Sequence, residues 1–80
     1  MEIKYRSLAV DRMLERNIST MEVELVISEP DGTIKQSEDK FIFYKHIKGR
    51  KDNHIAAVTI LKSRNTIEVL TVMIDFEVPQ

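Results

Sequence analysis

Asn17-Ile18-Ser19-Thr20-Met21-Glu22-Val23 is the stretch on which the reading of this fold turns. Ser19 and Glu22 have the spacing of a capping box. The serine hydroxyl accepts the backbone N–H three residues on, and the glutamate reaches back to the backbone N–H of the serine. Ile18 precedes the cap and Val23 stands at the fourth helical position, the hydrophobic-staple spacing that sets the angle at which a chain enters its helix. Asn17 tolerates the left-handed conformation and so suits the end of a preceding helix. Two helices are therefore predicted to meet at a specified corner.

Upstream, Ser7 is a suitable N-cap for a helix from Leu8 to Arg16, with Val10, Met13 and Leu14 on one face. Ile3 and Tyr5 alternate with charges, as a short N-terminal edge strand would. Downstream, the second helix runs to about Ser28 with Val23, Val26 and Ile27 as its apolar stripe, and Pro30 prevents its continuation. Glu29-Pro30-Asp31-Gly32 fits a type I turn. From Thr33 the pattern changes to period two, which predicts four strands near Thr33 to Ser37, Lys40 to Ile47, His54 to Leu61 and Thr66 to Ile74. The short connections, at Glu38-Asp39, Lys48 to Asn53 and Lys62 to Asn65, make these strands antiparallel neighbours. The predicted class is α+β: two N-terminal helices packed on one face of a four-stranded antiparallel meander, in one domain spanning residues 1–80.

The last three strands carry apolar residues on both faces. Phe41, Phe43 and Ile47 oppose Ile42 and Tyr44; Ile55 and Ala57 oppose Ala56, Val58 and Ile60; Ile67, Val69 and Met73 oppose Leu70, Val72 and Ile74. A sheet that turns one face to water normally alternates apolar with polar residues. Two short helices cover one face only, so the other is expected to meet a partner, either a second copy in a homodimer or a small protein.

Composition narrows the function classes. Eighty residues bury only about 60% of their unfolded surface, so a chain of this size has little stability in reserve. With no cysteine there is neither a disulfide nor a thiolate metal site, and His46 and His54 are not in a ligand spacing, so no metal or cofactor is expected. The net charge of −1 excludes the strongly basic class of nucleic-acid binders. Its distribution is uneven: six Lys/Arg stand against Asp52 alone between Lys45 and Arg64, whereas residues 1 to 39 hold five against nine acids. No apolar run approaches the roughly 18 residues of a membrane span and no signal pattern follows Met1, so a cytoplasmic, membrane-independent protein is expected.

Ala9-x-x-Arg12-Met13-x-Glu15-Arg16-x-Ile18-Ser19 resembles the signature of a prokaryotic family of unknown function, which reads His-Ala-x-x-Arg-Met-x-x-Arg-Gly-Ile at this place. The order of the remaining features agrees, from Val23 through Pro30 to the strand Ile67-Glu68-Val69-Leu70-Thr71-Val72. The resemblance implies a distant similarity to toxins of the RelE and BrnT type, small α+β ribonucleases neutralised by an antitoxin. Leu8 stands where that signature has histidine and Asn17 where it has glycine. The first departure removes the imidazole nearest the two arginines, and the second keeps a residue that accepts left-handed backbone.

The candidate site residues follow. Arg12 and Arg16, one turn apart, can jointly hold a phosphate or carboxylate; the commoner role is ionic pairing, of Arg12 with Glu15 or of either arginine with Glu22 or Glu24. Lys45, Lys48, Arg50 and Lys51 surround one hairpin with Tyr44 available for stacking, a pattern that serves RNA phosphates or merely protects a strand end. His46 is the candidate general base, against the common role of a packing histidine. No nucleophile-base pair or glycine-rich phosphate loop can be assembled. The expected function is thus that of a non-catalytic, toxin-like protein acting by association as a homodimer. The alternative is an RNA-cleaving or ribosome-directed toxin, a metal-independent ribonuclease using Arg12, Arg16, Lys48, Arg50, Lys51 and His46.

Overall fold

The structure is a computed structural model and describes residues 1–79. Its elements are β1 (Glu2–Tyr5), α1 (Ser7–Glu15), α2 (Thr20–Ser28), β2 (Gly32–Lys35), β3 (Lys40–His46), β4 (His54–Ser63) and β5 (Thr66–Met73). The strands form one sheet in the order β1-β5-β4-β3-β2. The α+β class and both helices agree with the sequence, but the sheet has five strands and is mixed. β1 lies parallel to β5, with Ile3 opposite Ile67 and Tyr5 opposite Val69, while the other pairs are antiparallel. Because β1 and β2 occupy opposite edges, the helices that join them must cross the sheet, which places both on one face. None of the described helices is long and apolar enough to cross a membrane.

The N-terminus of α1 differs from expectation. Arg6, not Ser7, occupies the cap position, in extended conformation and without a side-chain cap. Its N–H donates to Val69 O at 3.0 Å, so the chain passes from the sheet ladder straight into the helix. The buried face is shifted: Met13 is buried as expected, but its companion in the core is Ala9, whereas Val10 and Leu14 are 43% and 78% exposed. The methyl side chain of Ala9, with no exposed surface, lets the α1 backbone settle closely on β5.

The corner forms as read. Asn17 has φ of 54°, Ile18 N–H donates to Met13 O (2.8 Å) and Asn17 N–H to Leu14 O (3.4 Å), which is a Schellman motif. Glu22 N–H donates to Ser19 Oγ (3.1 Å) and Ser19 N–H to Glu22 Oε1 (2.9 Å), completing the capping box. Both staple residues, Ile18 and Val23, are buried in the core, as is Val26.

Sheet register corrects the reading of β5. Val58 faces Thr71 but Thr59 faces Val69, so Leu70 is the extra residue of a bulge. The bulge reverses the alternation, and Val69 and Val72 fall on the same helix-covered face, both essentially inaccessible. They pack there with Ile55, Ala57 and the buried Thr59, whose hydroxyl donates to Phe41 O at 2.9 Å. On the opposite face, Ile34, Ile42, Val58 and Thr71 form one cross-strand row and Tyr44, Ala56 and Met73 another. Ile42 and Ala56 are buried, but Ile34, Val58, Ile60 and Met73 remain half-exposed.

Candidate functional site

Two polar clusters stand at the end of the sheet where the Ile47-to-Asn53 connection turns. The first is centred on Arg50, which lies against the helix corner. Its Nε and Nη2 donate to the two oxygens of Asp52 at 2.9 and 2.8 Å, and its Nη1 donates to Glu22 at 3.1 and 3.3 Å. The same guanidinium donates to Arg16 O (3.2 Å) and Asn17 O (3.0 Å), the carbonyls left open where α1 ends. Only 17% of the Arg50 side chain is exposed. The hydrogen bonds with Asp52 and Glu22 raise the Arg50 pKa against the opposing effect of burial. Arg50 holds Asp52 below the usual carboxylate range. Burial pushes Glu22 upward, but the Ser19 N–H and the Arg50 guanidinium outweigh it and keep Glu22 low. A shallow groove of about 320 Å³ opens here, lined by Leu14, Asn17, Ser19, Glu22 and Arg50 among others. The directions in which Arg50 donates are already taken by protein oxygens, so this groove offers no guanidinium to a phosphate.

The second cluster begins at the β2–β3 edge: Tyr44, His46 and His54 lie on the face without helices, while Lys45, opposite the core residue Ile55, is on the helix side. Asp31 fastens the start of β2 to the end of β3: its N–H donates to Tyr44 O (2.8 Å) and its carboxylate accepts the His46 N–H (2.8 Å). That hydrogen bond, with help from the Lys45 charge, holds Asp31 below its ordinary pKa. Lys45 Nζ donates to Glu29 O at 2.7 Å and stands 3.5 Å from Asp31. Gly32 lies directly opposite Tyr44, and any Cβ there would collide with the tyrosine ring and hydroxyl. The tyrosine thus lies across the glycine. Its ring is 5.7 Å from Phe76 and 5.7 Å, edge-on, from His54.

His46 and His54 are cross-strand partners with ring centroids 6.3 Å apart. Beyond β5 the chain turns at Asp75, φ 51°, and runs back beside His54. Phe76 N–H donates to His54 O (3.0 Å) and Asn53 N–H to Asp75 Oδ1 (2.9 Å). An open groove of about 580 Å³ results, lined by Asn53, His54, Asp75, Phe76, Glu77 and Val78. Its imidazole, His54, can transfer a proton and its phenyl ring, Phe76, can stack; no group of three metal-ligating side chains occurs among the described residues.

The candidate residues are thus separated by environment. Arg12 pairs with Glu15 at 3.0 Å. Arg16 is half-buried, with its Nε enclosed and without an acceptor, so the two arginines do not present matched donors. Arg50 is consumed by the corner, whereas Lys48 and Lys51 are exposed. Lys62 and Arg64 belong to the other end of the sheet, where Lys62 stands 3.6 Å from Glu68 beside the Arg6–Glu68 pair at 2.9 Å. His54, Phe76 and Asp52 join these clusters in the structure, though the sequence offered none of them as a site residue. The expected strands, ending at Ile47 and starting at His54, did not set the two histidines opposite each other; β3 ends one residue earlier, and its register does. Phe76 left no local signal.

Comparison with known proteins gives one match: residues 7–74 fit the model of a family described as a domain of unknown function (DUF4258). No curated protein and no solved structure matches the chain.

Proposed function

From the premise that this chain belongs to the DUF4258 family, we propose that it is a non-catalytic, toxin-like small protein that acts by protein association, most simply as a homodimer through the uncovered sheet face. The observation that carries this reading is the contiguous surface of Ile34, Val58, Ile60 and Met73 around the buried Ile42, against which no described helix packs. Half-exposed branched side chains in adjacent rows gain by burial at about 25 cal/mol per Å², and a patch of this kind on a small domain is characteristic of an interface. The toxin-like element rests on the resemblance of Ala9 to Ser19 to the signature described above.

Sedimentation velocity across micromolar concentrations tests the reading. A dimer is expected for the native chain and a folded monomer for Val58→Lys, which places a charge at the centre of the patch. A native chain that stays monomeric at tens of micromolar, on the concentration scale of ordinary specific dimers, excludes it.

A second reading, a metal-independent ribonuclease, is favoured by one observation, the cross-strand pair of His46 and His54 beside Tyr44. Two imidazoles can divide the acid and base roles of RNA cleavage, with Lys48 and Lys51 as the phosphate contacts. Induced expression separates the readings: growth arrest abolished by His46→Ala and His54→Ala supports the ribonuclease, and harmless accumulation supports association.

A further inference from the structure

The groove beside the histidines has a definite electrostatic character. Its charged lining residues are Asp75 and Glu77, both acidic, and its rings are Phe76 and His54. One oxygen of Asp75 takes the Asn53 N–H, which leaves the other as an acceptor. Glu77 is exposed and pairs with no cation among the described residues. Phe76 is braced by Tyr44 at 5.7 Å, with the ring planes inclined by 33°, so the ring is held in place before any ligand arrives. Of the cations at this end of the sheet, Lys45 is held by Asp31 and Glu29 O and Arg50 by Asp52 and Glu22, while Lys48 and Lys51 are exposed and do not line the groove. At about 580 Å³ the groove lies within the size range of ligand sites.

Carboxylates beside a fixed aromatic ring attract a planar cation and repel a phosphate. We propose that the groove between His54 and Phe76 is a binding site for an arginine side chain presented by a partner protein. A guanidinium satisfies both features together, stacking on Phe76 while donating to Asp75 and Glu77, and Val78 offers apolar surface to its methylene stem. A lysine ammonium forms the ion pairs but not the planar stack. The acidic lining also argues against RNA at this place, since each phosphate would meet two like charges. The inference rests on the association reading only in taking protein as the source of the cation.

The test is an amide chemical-shift titration of the full chain with the peptide Gly-Ser-Arg-Ser-Gly and with its citrulline counterpart, which keeps the shape and removes the charge. Arginine should give saturable shifts at Asn53, His54 and Phe76, and citrulline should give none. The double variant D75N/E77Q alters exposed side chains and retains an acceptor for the Asn53 N–H; it should bind about two- to fivefold more weakly. A Phe76→Leu variant should lose affinity even with both carboxylates present. Equal shifts with citrulline, unchanged affinity in D75N/E77Q, or a stronger response of the same amides to oligouridylate would each overturn the proposal. Arginine binding retained by monomeric Val58→Lys supports it, and shows that groove and dimer surface act separately. A dimer whose groove ignores arginine overturns the groove alone.

Discussion

Replacing Arg50 by methionine keeps much of its apolar stem and removes the donors that serve Glu22, Asp52, Arg16 O and Asn17 O. Two partly buried carboxylates and two helix-end carbonyls would lose their partner together. The expected loss is about 2–4 kcal/mol in urea unfolding, and Arg50→Lys should recover only part of it because an ammonium cannot reproduce the bidentate fork. The same group governs acid sensitivity. Glu22 and Asp52 have folded pKa values below their unfolded ones. Their stabilisation is therefore complete above about pH 5 and is lost as pH falls through the depressed folded values, since the unfolded chain binds protons first. Unfolding midpoints measured from pH 7 downward should fall steeply for the native protein and less steeply for Arg50→Met. At this scale the sequence was partly legible: the pairing of Arg12 with Glu15 was among its readings, but the acids that Arg50 would meet were not. Arg12 finds Glu15 within its own helix, whereas Arg50 meets Glu22, 28 residues away.

At the scale of the element, the corner between α1 and α2 depends on Ser19. Ser19→Ala should cost about 1 kcal/mol, the usual value of an N-cap, measured by chemical denaturation. Glu22 serves the cap and Arg50 at once, so Ser19→Ala and Arg50→Met should be non-additive in a double-mutant cycle. The β2–β3 pair supplies another test. Gly32→Ala drives a methyl group into the space of the Tyr44 ring, and the ring must move away from Phe76. Loss of ring-current shifts at Phe76 is expected, with about 1–3 kcal/mol of destabilisation, the range for overpacking. Helix α2 was legible from its capping box and the Pro30 stop, and strands β3 to β5 from β-branched and apolar runs between turn residues. The buried face of α1 was legible only at Met13, since hydrophobicity favoured Val10 and Leu14 while close packing on β5 selected Ala9.

For the whole molecule, association and stability are linked. If the uncovered face joins two copies, the thermal midpoint must rise with protein concentration, because mass action favours the state that buries the patch. A scan from about 1 to 100 μM brackets the usual dissociation constants and should show this rise for the native chain but not for Val58→Lys. The mixed sheet also explains how one small helical layer suffices. β1 and β2 occupy opposite edges, so the connecting helices cross one face and leave the other uncovered.

Local chemistry within four or so residues was enough to specify the left-handed Asn17, the stapled capping box from Ile18 to Val23, and the positions of the strands. The Asn17 turn and the capping box depend on backbone groups satisfied by near neighbours, so the chain carries them wherever it folds, whereas the strands, which bond to distant partners, were read from their pattern of side chains. Tertiary structure decided the rest: the parallel docking of β1 on β5, the Leu70 bulge that joins Val69 to Val72, the engagement of Arg50, and the meeting of His46, His54 and Phe76. These depend on strand register or, for Arg50, on the docking of a connection against the helix corner. A single-residue shift of register exchanges the faces of every side chain beyond it.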